Sequence, residues 1–460
     1  MEQLPPRRWL ARGVLALVVL ALLAPVGVSA VTHDPGQLGH GTVTRPANGT
    51  TVIGVQGFHY RGKGSVKKPA RLVSVGPDGT TDWVRTARGQ FWIYDVDPLP
   101  NGNLLVTSTV PGDTIVYELD PATRERVWTQ RLDAKDTHDV DLLPNGNLLG
   151  VEKSNATDGV SGDRIFVYNR TQEKVVWDWT FRAHYPNETD GGMSADWTHV
   201  NDVDRVRPGE YLVSPRNFDQ VILVNRTTGD IEWRLGADGD HSVLNEQHNP
   251  DYLQGQDGKP TVLVADSEND RVVEYACVAN ATDPVAGTGP GCSWTRQWAV
   301  TGFNWPRDAD RLPNGNTLVV DTLDHRVVEI TPRGKVVWEY FAPWAPYDAE
   351  RGKPGSNGPT MREQGVSGTY EVHGGAGTGP ASGVQFSEWL ERTTNGTAVA
   401  TQGKWFANRY AHVTPFVRPV WMSSWAFASL ALALLVLLGW AVAEGVYNRR
   451  AIRRGLGRLR

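Results

Sequence analysis

Cysteine is almost missing from this chain: two residues in 460, Cys277 and Cys292, both in one Gly/Pro-rich stretch. Two thiols with no adjacent histidine are too few ligands for a zinc site, and no metal is expected. In an oxidising compartment the pair instead predicts a disulfide closing a short loop. Lysine is scarce as well, ten residues against 36 arginines, and the formal net charge is −5. Nine arginines sit in the two terminal segments. Setting them aside with Glu2 and Glu444 leaves 49 acidic against 37 basic side chains, a net −12. A middle so acidic lacks the basic stripe of a nucleic-acid binder, and no nucleic-acid partner is expected.

Long apolar runs are confined to the two ends. Arg7, Arg8 and Arg12 precede the run Gly13–Ala24, and Val28-Ser29-Ala30 offers small residues to a signal peptidase. Residues 1–30 therefore read as a signal peptide or an N-terminal membrane anchor, with 31–50 a linker. Residues 421–447 read as a transmembrane helix: Trp425–Val446 is apolar except for Glu444, bordered by Trp421, Trp440 and Tyr447, and long enough for a hydrocarbon layer of ~30 Å. Behind it lies a basic tail, residues 448–460, with Arg449, Arg450, Arg453, Arg454, Arg458 and Arg460. The positive-inside rule puts that tail in the cytoplasm and everything before Trp421 outside, on the extracytoplasmic face of the cell membrane. Seven Asn-x-Ser/Thr triplets (at Asn48, Asn155, Asn169, Asn187, Asn225, Asn280 and Asn395) all fall between the apolar segments, which fits an external, glycosylated domain.

What fills the middle is a repeat. Asp95-x-Asp97, Asp139-x-Asp141, Asp202-x-Asp204 and Asp308-x-Asp310 recur, three of them leading into Leu-Pro-Asn-Gly at Leu99, Leu143 and Leu312. Each turn is followed by short apolar strands and a last strand carrying a tryptophan: Trp83, Trp128, Trp177, Trp233, Trp298 or Trp338. Six such units predict an all-β fold, a six-bladed β-propeller with four-stranded antiparallel blades over residues 51–340. The first unit shows three strands only, so its fourth is either supplied by chain after Tyr340 or degenerate. Residues 341–420, Gly/Pro-rich, predict an irregular closing and juxtamembrane segment with one short helix at Phe386–Arg392.

Aligned units show where chemistry varies at a fixed place. Three residues before the second aspartate stand Tyr94, His138, Asn201, His248 and Arg307, at the start of the innermost strand and so at the channel mouth. His199 lies two residues before Asn201, on the same side of an extended chain. At the end of the second strand stand Thr109, Lys153, Arg216, Ser267 and Thr322. One histidine at a strand start is an ordinary hydrogen-bonded residue. Three, with an asparagine and an arginine at equivalent places, predict an anion pocket rich in imidazoles and cations and poor in carboxylates. The Asp-x-Asp pairs, nearly the same in every unit, read as backbone-bonding residues, not metal ligands.

Four pieces carry a family resemblance: Thr137-His138-Asp139 with Leu143-Pro144-Asn145-Gly146, Trp197-x-His199-x-Asn201, Ser214-x-Arg216 with Thr228-Gly229-x-Ile231-x-Trp233, and Gln247-His248-Asn249. In these the chain resembles the bacterial PAPS-independent aryl sulfotransferases, over about 250 residues in the right order. The resemblance implies a transferase whose donor is an aryl sulfate ester and whose acceptor is a phenol or another hydroxyl, including a glycan's. It implies a sulfated histidine intermediate and no cofactor. Carried over, His248 is the nucleophile, His138 and His199 are catalytic, and Asn201 and Arg216 hold the sulfuryl group. Lys153, Arg307 and Thr322 join them as substrate-binding candidates. The chain departs from the family in Asn249-Pro250, where an acidic and a small residue are usual, and in its membrane anchoring. The alternative reading is a non-catalytic propeller that binds an anionic ligand, glycan or protein.

Overall fold

Short apolar runs punctuated by Asn-Gly favour antiparallel hairpins, and four of them stack into a blade that cannot cover its own faces. The computed structural model describes residues 7–32, 38–59, 66–255, 258–279, 281–289, 291–352, 357–375, 386–419 and 422–449. Asn280, Trp421, part of the 31–50 linker and the tail arginines from Arg450 onward lie outside the described residues. The chain divides into two compact units, residues 36–383 and a helical unit made of 1–35 with 384–460.

The larger unit is a six-bladed β-propeller of four-stranded antiparallel sheets. From blade one to blade six the innermost strands are Pro346–Arg351, Ile93–Pro98, Val140–Leu142, Val200–Arg207, His248–Gln254 and Pro306–Arg311. Blade one thus takes its innermost strand from beyond Tyr340: Pro346–Arg351 pairs antiparallel with Thr51–Val55, Thr51 opposite Arg351. One blade built from both ends of the repeat region closes the ring, and the propeller sheets extend past the expected limits of 51 and 340. Three further strands cover outer edges that would otherwise be open. Gly39–Val43 adds to blade six, Gly287–Thr288 to blade four, and Gly368–Glu371 runs parallel along Ser293–Thr301 of blade five.

The described residues of 341–420 accordingly hold more secondary structure than their composition predicts. Besides those strands they hold helices Phe386–Thr394 and Ala400–Val417. Gly/Pro counts register the turns of this stretch and miss strands that exist only because a sheet edge is waiting for them.

Six apolar clusters, one at each blade-to-blade contact, make up the core. Middle strands are covered on both faces, so Leu104–Val110 and Thr317–Asp321 are buried throughout. The uncovered fourth strand of blade one, Thr81–Thr86, alternates instead. All six repeat tryptophans lie on the fourth strand of their blade; Trp298 and Trp338 are fully buried and Trp233 nearly so.

The aspartates fasten neighbouring blades. Backbone N–H groups of one innermost strand donate to carboxylates of the adjacent one: Val96 to Asp348 (2.8 Å), Val203 to Asp139 (2.6 Å), Arg205 to Asp141 (2.8 Å), Ala349 to Asp308 (3.1 Å). In the Leu-Pro-Asn-Gly turns the asparagine caps its own loop, Asn101 Oδ1 accepting from the Asn103 amide at 3.0 Å. The glycine after it, Gly102 with φ 87°, takes a left-handed conformation. The repeat's most regular residues are thus its structural ones.

The helical unit holds Arg7–Thr32, Phe386–Thr394, Ala400–Val417 and Ser424–Tyr447. Its first and last helices are long and apolar enough to cross a membrane.

Candidate active site

Six innermost strands start at one end of the channel, so one residue from each blade arrives at the same mouth. Five of these were legible in the repeat: Tyr94, His138, Asn201, His248 and Arg307. Blade one contributes the sixth, Tyr347, buried and next to Asp348 in the closing strand. The rings touch in sequence. Tyr94 stacks on His138 at 3.8 Å, His138 meets His199 at 5.4 Å, and Tyr347 lies 5.7 Å from His138 and 5.9 Å from His248. Arg307 spreads its guanidinium over Trp305 at 4.1 Å and Tyr347 at 4.6 Å.

Hydrogen bonds fix the tautomer of each imidazole. His248 Nδ1 is 2.8 Å from Ser267 Oγ, whose single proton is committed to the Pro306 carbonyl at 2.6 Å. Nδ1 must therefore be the donor, and Nε2 keeps its lone pair. His138 Nδ1 faces the Asp136 carbonyl at 3.0 Å, and His199 Nδ1 faces the Asp196 carboxylate at 2.6 Å, with the same result.

Burial holds all three rings neutral. It pushes the His248 pKa well below the usual imidazole value, helped by the charges of Arg307 and Arg216. His138 is lowered in the same way, by burial and then by Lys153. His199 falls to about 3, because burial and the charges of Lys153 and Arg216 outweigh its bond to Asp196. For Asp196 burial pulls upward, but the hydrogen bond and charge of His199 with that of Lys153 prevail, and the carboxyl sits well below its ordinary range.

The expectation of few carboxylates needs correcting. Lys153 is locked between Asp136 at 2.9 Å and Asp196 at 3.5 Å, and Arg216 pairs with Glu246. Tyr94 also donates to Asp136 at 3.1 Å. Three cations closing on one mouth repel each other strongly once buried, and these acids make the cluster affordable to fold. Arg307 differs: it donates to Gln56 at 2.8 Å, and among the described residues it forms no ion pair. Its pKa is lowered to about 10, chiefly by burial, with Tyr347, Tyr94 and Glu268 pulling the other way.

Several buried polar atoms of this cluster have no partner: Nε of Arg216, Nε of Arg307, the Tyr347 hydroxyl and Asn201 Oδ1. Asn201 anchors itself by donating to the Gln247 carbonyl at 2.9 Å. The unmatched donors on Arg216, Arg307 and Tyr347 are what a bound oxyanion would satisfy, whereas Asn201 Oδ1 is an acceptor that calls for a donor such as a substrate hydroxyl. Thr322 is buried with its hydroxyl unpartnered, and no hydrogen bond joins it to the imidazoles among the described residues. Cys277 and Cys292 are joined in a disulfide, Cα atoms 5.4 Å apart, in blade five and away from the mouth.

Backbone strain collects here. His199 (φ 40°), Glu246 (48°), Asn249 (35°) and Trp305 (54°) are left-handed without being glycine. Each costs about 1–3 kcal/mol and persists only where surrounding contacts hold it. Asparagine tolerates that region better than most residues, which explains Asn249 after His248.

The carboxylates and Tyr347 are what sequence reasoning missed. An acidic residue stands two or three positions before every histidine, at Asp136, Asp196 and Glu246, and that pattern was the available signal. Tyr347 escaped because its strand carries Asp348-x-Glu350 in place of Asp-x-Asp.

Fold and site together describe a six-bladed propeller with histidines and arginines gathered at one mouth of its channel. Residues 66–270 match the family model for Arylsulfotransferase (ASST), which supports the resemblance of this part of the propeller to that family and aryl sulfotransfer as the general activity. No curated protein matches the chain's sequence. Solved structures with similar folds include a Bacteroides caccae protein of unknown function (15% identity, 64% of this chain and 93% of that one, TM-score 0.41). They also include a chain of the nidogen/laminin complex (13%, 65% and 97%, TM-score 0.44) and Staphylococcus aureus virginiamycin B lyase bound to quinupristin (10%, 66% and 88%, TM-score 0.38).

Proposed function

We propose that this protein moves a sulfuryl group from an aryl sulfate ester to a phenolic or other hydroxyl acceptor through a sulfo-histidine at His248, on the outer face of the cell membrane. The observation that carries the reading is the His248–Ser267–Pro306 chain of hydrogen bonds, which leaves a neutral, buried imidazole with its Nε2 lone pair available. In the first step that lone pair attacks sulfur, the N–S bond forms, and the S–O bond to the aryl group breaks. The aryloxide leaves with the electron pair; a phenol of pKa ~10 needs little assistance. Arg216, Arg307, Asn201 and the Tyr347 hydroxyl receive the charge spreading over the non-bridging oxygens.

In the second step an acceptor hydroxyl attacks the same sulfur. Its proton passes to His199 Nε2, the N–S bond breaks, and the electrons return to His248. Asp196 makes His199 the suitable base, because an imidazolium there gains a charge-assisted hydrogen bond. The donor's own negative charge offsets the cations that hold His199 down. Lys153 is a positioning residue, tying Asp136 and Asp196 behind the two histidines, and the aromatic rings of Tyr94, Trp305 and Tyr347 suit an aryl group.

The test uses the full chain in detergent with p-nitrophenyl sulfate and a phenol. Turnover in the wild type, loss in His248→Asn and a sulfated peptide containing His248 are expected. Activity surviving that substitution would overturn the nucleophile, and binding without turnover across a broad donor panel would overturn the enzyme reading.

A further inference from the structure

A charged side chain in an apolar helix is costly to leave unpaired, so its partner reveals what that helix packs against. The helix Ser424–Tyr447 has a single charged residue, Glu444. The helix Arg7–Thr32 carries Arg12. Arg12 grips Glu444 with both arms, Nε to Oε1 at 2.7 Å and Nη2 to Oε2 at 2.6 Å. This is the bidentate geometry that distinguishes a specific pair from a passing one. Trp440 and Asn448 donate to the same carboxylate at 3.4 and 3.1 Å.

The opposite ends of the two helices also meet. Ser423, the N-cap of the last helix, donates its backbone N–H to Ser29 Oγ at 2.7 Å, and Ser29 is buried. Arg12 to Ser29 spans 17 residues and Ser423 to Glu444 spans 21. At ~1.5 Å per residue these are about 25 and 32 Å, the thickness of a hydrocarbon layer. The two contacts, one near each end of both helices, bracket an antiparallel pair.

Ser29 matters for a second reason. It lies within Val28-Ser29-Ala30, where small residues suggest cleavage, yet the helix continues through Thr32. Proteolysis favours exposed, extended chain, and a buried, hydrogen-bonded helical serine is a poor substrate. Charge agrees: Arg7, Arg8 and Arg12 at one helix end and Arg449 beyond the other fall on the same side of the pair.

We propose that the first apolar segment is retained as a membrane-spanning helix, paired antiparallel with the C-terminal helix through Arg12 and Glu444. Residues before Arg12 and after Glu444 then share the cytoplasmic side. This inference is independent of the chemistry at the channel mouth.

Two measurements on the full chain, extracted from membranes, test it. Intact mass is expected to include residues 12–30; a product beginning at Val31 would overturn retention. For the pairing, Ser29→Cys with Ser423→Cys is expected to form a disulfide on mild oxidation, read as the N-terminal fragment staying attached after proteolysis. The native cysteines do not compete, being already joined. Absence of the cross-link would overturn the pair. In that background Glu444→Ala, which strands Arg12, is expected to lower cross-link yield several-fold. Adding Arg12→Ala is expected to restore it, and equal yield in all three would overturn the ion pair's role.

Discussion

The Tyr347 ring stands 5.9 Å from that of His248, nearly edge-on at 76°, with its hydroxyl buried and unpartnered. A buried phenol usually finds a partner, and this one faces the imidazole assigned as nucleophile. Its pKa is pushed far upward by burial, so it stays a donor at every working pH. Tyr347→Phe keeps the ring contacts and removes the donor. Loss of one oxyanion donor costs about 10²–10³ in rate. We expect kcat for nitrophenol release to fall by about that factor with the melting temperature little changed; a kcat within twofold of wild type would remove Tyr347 from the pocket.

Asp196 and His199 separate the two half-reactions. Asp196→Asn keeps the shape but removes the charge that favours an imidazolium on His199. The first nitrophenol burst, which does not use His199 as a base, is expected to survive, while steady turnover with a phenol acceptor falls at least ~10-fold, the low end of general-base contributions. Rapid-mixing kinetics reads both phases. Equal losses in burst and turnover would assign Asp196 to donor binding or folding and not to acceptor activation.

How much of this was legible depended on whether the signal was local. The six blades were, because each carries its own Asp-x-Asp turn and tryptophan. Five of six mouth residues were, because the repeat supplied their register. Tyr347 was not, since its strand borrows three partners from the other end of the propeller and no local pattern announces a closing strand. Ser267 stood in the aligned column without a role, and only the Pro306 carbonyl, from the next blade, shows which way its hydroxyl points. The carboxylates sit in loops, where no period exists to align them. The helix Ala400–Val417 was missed for a related reason, its glycine and polar residues giving no clean stripe.

The neutral imidazoles set the pH dependence of the first step. An ordinary histidine nucleophile loses activity as pH falls through ~6.5. His248 sits well below that and His199 at about 3, so the lone pair on Nε2 survives acidification. The burst rate is expected to change less than twofold between pH 7.5 and about 5.5. A descending limb centred near 6.5 would show that His248 titrates normally.

Stability should respond to pH in the opposite sense to most proteins, through the channel carboxylates. They line a cavity of about 570 Å³, and burial raises Asp308 to about 7 and Asp251 to about 6, with Asp97, Asp202, Asp204 and Asp310 also held well above the ordinary carboxylate range. A carboxyl raised in the folded state binds protons that the unfolded chain has released above ~3.9. Its contribution is therefore full below that value and lost as pH rises through the folded pKa. The buried histidines act the other way, their contribution falling as pH drops below ~6.5, but they are fewer than the carboxylates. The melting temperature of the full chain in detergent is expected to fall by several degrees from pH 5 to pH 8. Asp202→Asn, which removes an acid whose second oxygen has no partner, should raise the pH 8 value and flatten the slope. A melting temperature that climbs steadily from pH 5 to pH 8 would mean that the channel acids are ionised and compensated.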